Sequence, residues 1–412
     1  MDIAQRFINY TKINTTTHKE NGLAGIMPSN PNEMQLASLL EKELKELGLS
    51  QIIKRSNSIT TALLPANVSN APRIAFFAHL DTSSEQKNDT KAQITHYEGG
   101  DICLNKELDL YLRESEFKEL KNYKGDDIIH TDGTSLLGAD DKAGIAAIMD
   151  MLEFFVKNPS LKHGDIIVGF LPDEEQGLRG AKAFDVKEVN ADFGYCLDCC
   201  GIGEFIYENW NAADAIVTFQ GVSAHPMSAK CKLVNSLILA HQFISMLPRG
   251  EAPEYTTEGK EGYFWVKELN GNSAKTILKI DIREFDEEKY NQRIQFLKDL
   301  CNSCEKLWGK QSIQIHLSHR YKNVFNALKT KDCLPVKLAL KAYENLDIKA
   351  KIIPMRGGYD GAVLSEKGLM CPNIFTGAHN FHSIYEYLPL KSLKAASKVL
   401  QEIILLASET KA

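Results

Sequence analysis

The sequence predicts an α/β fold: a mixed, mostly parallel sheet covered by helices, with a smaller α+β domain inserted into it. Three observations predict it. Apolar runs of strand length alternate with amphipathic helical stretches along most of the chain. One stretch, residues 211–322, instead spells β-α-β-β-α-β, the order of a ferredoxin-like module. The length, 412 residues, exceeds what one hydrophobic core usually supports. Residues 1–210 and 323–412 are therefore expected to form one domain and 211–322 an inserted second one.

In chain order, residues 2–12 and 32–48 carry apolar positions at helical spacing, the second through Leu36, Leu40, Leu44 and Leu47, stopping at Gly48. Residues 59–64 and 74–78 read as strands, and the second is apolar throughout, as suits a strand covered on both faces. From His79 to about Gly125 the chain is polar and contains Gly99-Gly100, so a long excursion with little regular structure is expected there. A helix over 142–156, a strand over 165–171, a short helix and a strand over 193–197 follow. The inserted module comprises a strand (213–220), a helix (232–247), two strands (263–269 and 275–282), a long helix (287–308) and a last strand (313–318). A helix at 334–343, strands near 348–353 and 373–376 and a helix from 389 complete the chain.

Hydrophobic residues make up 43% and charged residues 25%, and the net charge is −6, so nothing draws the chain to nucleic acid or to an anionic membrane. The first six residues lack the pattern of a signal peptide, no run is apolar enough to span a bilayer, and a cytoplasmic protein is expected. Nine scattered cysteines suit a reducing compartment. Cys301 and Cys304 form a C-x-x-C inside a helical pattern, where buried thiols are expected rather than a metal site.

Groups that can hold metal recur at the ends of apolar runs, where ligands of such sheets collect. His79 and Asp81 follow the apolar run 74–78; if the strand continues, both face the same way, and Asp81 can accept one imidazole N–H while the other nitrogen binds metal. Asp140 and Asp141 stand between small residues at a helix start, where capping accounts for one acid and leaves the other to bridge cations. Asp173, Glu174 and Glu175 follow a strand, and three crowded carboxylates repel unless cations compensate them. Of two adjacent glutamates, one can bind metal while its neighbour moves protons. Asp198 ends a strand, with Cys199 and Cys200 after it as further candidate ligands or small buried filler. His379 and His382 close the series, and either can be a ligand or a hydrogen-bonded core group.

These segments, together with Thr131-Asp132-Gly133, His225-Pro226 and Arg356-Gly357-Gly358, resemble the M20 metallopeptidase family, and within it the peptidase T branch of tripeptide aminopeptidases. The resemblance implies a zinc-peptidase-like catalytic domain and a lid. It implies that His79, Asp140 and Asp198 hold one zinc, that Asp140, Glu175 and His382 hold a second, and that a cis peptide joins Asp140 to Asp141. Glu174 would be the general base and acid, and Asp81 would orient His79. His225, on the inserted module, would stabilise the scissile carbonyl, while Arg356 and Asn323 would contact substrate, Arg356 at the peptide's C-terminal carboxylate. The implied reaction is hydrolysis of the first peptide bond of a tripeptide by a zinc-bridged hydroxide, in a chain that can pair into a homodimer through the lid. Departures from the branch's pattern, Cys199-Cys200, Met227, Lys260 and Tyr359, spare every implied ligand and bear on the pocket. Two alternatives remain: another hydrolase of the family, such as a dipeptidase or an N-acyl amino acid deacylase, or a peptide-binding relative without turnover.

Overall fold

The computed structural model of the protein describes residues 1–410 apart from 88, 257 and 331. Two compact units emerge: Met1–Tyr207 with Ala327–Ile353 and Tyr359–Ala412, and Glu208–Asn326 with Pro354–Gly358.

The first unit is built on an eight-stranded mixed sheet. Its order is Ser50–Lys54, Thr60–Leu64, Ile166–Leu171, Ile74–His79, Phe193–Cys199, Asn373–Phe375, Glu204–Ile206, Lys351–Ile352. The four strands from Ile166–Leu171 to Asn373–Phe375 run parallel to one another. Parallel strands are covered on both faces, which is why Ile74–His79 and Ile166–Leu171 are buried at every residue and read as unbroken apolar runs. The helix Ala139–Lys157 packs on Ile74–His79 and Phe193–Cys199, and the C-terminal helix Leu390–Ser408 packs against it.

Gly144 lets that helix sit close. A Cβ there would run into the Asp141 carboxylate and the backbone carbonyl of Leu197, neither of which can yield without moving the site. Gly144→Ala should therefore destabilise the metal-free protein by about 1–3 kcal/mol, read from the denaturant midpoint.

The polar stretch after His79 is more regular than its composition predicts. Gln93–Tyr97 and Asp126–His130 pair antiparallel, and Tyr387–Pro389 adds a third strand. Ile102–Asn105 and Leu110–Leu112 form a hairpin. Tyr97, Ile102, Leu104, Leu112, Leu120, Ile128 and Tyr387 bury a small core of their own. These strands run three to five residues, and Gln93–Tyr97, Ile102–Asn105 and Leu110–Leu112 expose part of their length, so their apolar content is thin, while Tyr387–Pro389 is buried but lies far along the chain.

In the second unit, Asn211–Gln220, Ser236–Ser245, Tyr263–Gly271, Lys275–Glu284, Glu287–Trp308 and Ile313–Tyr321 follow in β-α-β-β-α-β order. Its antiparallel sheet runs Tyr263–Gly271, Lys275–Glu284, Asn211–Gln220, Ile313–Tyr321. The first helix starts later than its periodicity suggests because Asn235 caps it, its side chain accepting the Leu237 N–H at 3.0 Å. Cys301 and Cys304 are buried in this unit's core. Among the described residues, no helix is long and apolar enough to cross a membrane.

Candidate active site and metal centre

At the carboxyl end of Ile74–His79 the His79 ring is buried, with Nε2 2.9 Å from Asp140 Oδ1 and 4.0 Å from Asp198 Oδ1. The strand stops at His79, so the alternation expected to carry Asp81 onto the same face does not apply. Nδ1 lies nearest the main-chain carbonyl of Asp81, at 3.0 Å, with the Asp81 carboxylate at 3.4 Å. That carboxylate also accepts the N–H groups of Glu174 and Glu175, at 2.9 and 3.0 Å. Asp81 thus ties the histidine's loop to the glutamates' loop.

Asp140 and Asp141 are joined by a cis peptide and have non-helical backbone angles. Neither caps the helix, contrary to the expectation for one of them: Gly138 holds the cap position, without a side-chain bond. The Asp141 carboxylate instead accepts the His79 N–H at 3.0 Å. The two oxygens of Asp140 face different histidines, Oδ1 toward His79 and Oδ2 toward His382 Nε2, at 3.1 Å. Asp198 is held through its backbone, giving its N–H to Asn373 Oδ1 and taking Asn373 Nδ2–H on its carbonyl, both at 2.8 Å.

The last pair of histidines separates cleanly. His382 points at Asp140 and Glu175, and its Nδ1 is 3.4 Å from Glu85. His379 is stacked on Tyr387 and hydrogen-bonded to the Tyr123 hydroxyl, outside the cluster. Burial pushes it down to about 4, so it is a neutral core group at pH 7.

Two groups of three donors result, His79, Asp140 and Asp198, and Asp140, Glu175 and His382, the ligand atoms of each lying within 4.8 Å of one another. Bonds of about 2.1 Å to a tetrahedral ion set its ligand atoms roughly 3.4 Å apart, so both groups suit such an ion. Glu175 Oε1 is buried and receives no hydrogen bond, although His382 Nε2 is 2.6 Å away. The two atoms converge without hydrogen-bond alignment, as two ligands of one cation do.

Electrostatics tell the same story. Burial, then the charge of Asp140, pushes Asp198 well above the carboxylate range. Burial also raises Glu175 and Glu174, with Asp198 the largest repelling neighbour of Glu174. The hydrogen bond to Asp140 and the close Glu175 carboxylate lift His382 to about 11. Burial alone would lower His79, but Asp140 and Asp81 lift it well above its usual value. Without cations, the cluster holds its carboxylates together by keeping protons.

On the second unit, His225 is exposed and accepts the Met227 N–H at 3.2 Å. Arg356 is exposed and makes no ion pair with any described residue. Asn323 is buried, its Oδ1 accepting the N–H groups of Asn209 and Phe325 and its Nδ2 donating to the Phe285 carbonyl, so it secures the backbone where the last strand ends. Lys260 pairs with Glu208 at 2.5 Å, and Met227 is 90% exposed. Tyr359, expected to line a pocket, is fully buried in the first unit with its hydroxyl on the Cys371 carbonyl. Cys199 is likewise buried, and Cys200 is half-buried. Asn373, which pins Asp198, carried no signal in the sequence.

The model of peptidase family M20/M25/M40 matches residues 121–406 of the chain. A peptidase T-like protein of Rhizobium meliloti is 42% identical over 405 residues, 97% of this chain and 98% of that protein. Peptidase T of Bacillus licheniformis is 41% identical over 414 residues, 99% of this chain and 98% of its own length. Among solved structures, an aminopeptidase PepT from Bacillus cereus superposes with a TM-score of 0.78 at 20% identity, covering 99% of this chain and 98% of the other.

Proposed function

Because this chain belongs to peptidase family M20/M25/M40, we propose that it is a di-zinc aminopeptidase that removes the N-terminal residue from tripeptides. One observation carries the reading: two three-donor groups share a single carboxylate, Asp140. His79, Asp140 and Asp198 would hold one zinc, and Asp140, Glu175 and His382 the other. Zinc held there would supply Lewis acidity and make water more acidic near neutral pH.

The chain's own groups do the rest. Glu174 stands in neither donor group, yet its backbone is fixed by Asp81 beside Glu175. Its carboxylate takes a proton from the attacking water and passes it to the departing amine, one group serving as base and then acid. Desolvation raises this carboxyl above its ordinary value, and the same low-dielectric surroundings strengthen each charge interaction around it. His225 is assigned the donor that meets charge developing on the carbonyl oxygen, and Arg356, whose guanidinium pairs with no described residue, the partner of the peptide's C-terminal carboxylate. The nine unpaired cysteines suit a reducing cytoplasm.

Two expected results arise here. His382 carries a raised value, so at pH 7 it is protonated in the metal-free protein and must lose that proton to bind zinc. Zinc loading should release protons and tighten as pH rises, which calorimetry in buffers of different ionisation enthalpy will show. His225→Ala should lower kcat by roughly 10²–10³-fold while elemental analysis finds the metal content unchanged. A panel of dipeptides, tripeptides and acylated amino acids tests the substrate class: turnover restricted to tripeptides supports it, and preference for dipeptides or acylated amino acids overturns it.

A further inference from the structure

Glu386 belongs to none of the groups assigned so far, yet it is 2% exposed and its carboxylate has a specific use. Oε2 accepts the N–H of Gly138 at 2.7 Å and Oε1 the N–H of Asp140 at 3.0 Å. Both donors lie in the short segment that carries the shared ligand. Gly138 there has a positive φ of 76°, in the left-handed region that glycine adopts without strain. Glu386 lies four residues after His382, so one short loop delivers a ligand side chain to Asp140 Oδ2 and a clamp to the Asp140 backbone.

The clamp is itself anchored. Glu386 gives its N–H to the Ser383 carbonyl at 3.1 Å, and the next residue, Tyr387, begins the strand that pairs with Asp126–His130. His379 and Tyr387 exchange backbone hydrogen bonds across the base of the loop. The small sheet formed by the excursion after His79 thereby sets the height of Glu386 beneath the Asp140 segment.

We propose that Glu386 is a positioning residue for Asp140, and through it for both metal sites at once; the inference rests on the two-metal reading above. A carboxylate offers acceptors on both oxygens. Glutamine of the same shape offers one acceptor and one N–H₂, and the second would meet another donor. The Asp140 segment must then shift, or leave a buried N–H without a partner. Because Asp140 serves both groups, the two sites should weaken together. Groups that hold a ligand in place typically change metal affinity by about 10–100-fold when removed.

The test is zinc titration of the metal-free wild type, Glu386→Gln and Glu386→Asp against a chromophoric chelator, with the absorption spectrum of the cobalt-loaded forms alongside. The expected result is two zincs per chain throughout, both affinities about 10–100-fold weaker in Glu386→Gln, and an altered cobalt spectrum. Glu386→Asp, which keeps the carboxylate on a shorter stem, should recover part of the loss and decides the matter if Glu386→Gln does not fold. Affinities equal to wild type with an unchanged spectrum overturn the proposal. So does weakening at one site alone, which would tie Glu386 to the His382 loop and not to Asp140. A wild type that binds no zinc overturns the two-metal reading as well, whereas a two-zinc wild type with unaffected variants overturns this inference only.

Discussion

Glu174→Gln should lower kcat by about 10²–10⁴-fold, with little change in KM and with both metals retained. The substitution preserves shape and removes only the ability to accept a proton. Retention of metal is expected because Glu174 contributes to neither donor group, and the Asp81 carboxylate holds its backbone regardless of the side chain. Stability should move in the opposite direction. Burial, followed by repulsion from Asp198, raises Glu174 well above 4.5, so the metal-free native state holds this proton more tightly than the unfolded chain does. The contribution is complete below the unfolded value and is lost as pH rises through the folded one. The neutral glutamine escapes that loss, so the metal-free variant should melt higher than wild type at alkaline pH. Turnover and melting together separate a lost proton carrier from a damaged fold.

Asp140→Asn should abolish activity, by at least about a thousandfold, and should do so by emptying both sites. An amide carries no negative charge and offers one oxygen, whereas the Asp140 oxygens face His79 on one side and His382 on the other. Asp198→Asn is the matched control, since Asp198 joins only the group containing His79. It should cost one metal and leave the other measurable. Equal metal loss in the two variants would argue that Asp140 is not shared.

The parts of this architecture that were plain in the sequence are those whose burial leaves a periodic trace. Ile74–His79 and Ile166–Leu171 are covered on both faces and are apolar without interruption, so the acids and the histidine at their ends stood out. The excursion left no such trace, because Gln93–Tyr97 shows four of its five side chains at least partly to solvent, and Tyr387–Pro389, the partner of Asp126–His130, lies about 250 residues further along the chain. Helix-start statistics suggested a cap at Asp140-Asp141, but the Asp141 carboxylate serves the His79 N–H instead, a contact between distant segments. Likewise, His379 and His382 share one loop and one composition. Only packing tells them apart: Tyr123 and Tyr387 enclose one ring, and the other faces Asp140 and Glu175. The family resemblance points to His382 of the two.

The shared-carboxylate metal centre is tested most directly by counting zinc during reactivation. Metal-free protein is titrated with zinc while bound metal and tripeptide hydrolysis are followed together. Two zincs should bind per chain, and full turnover should require the second equivalent. Saturation at one zinc with full activity, or turnover that persists in the metal-free protein, would contradict the account.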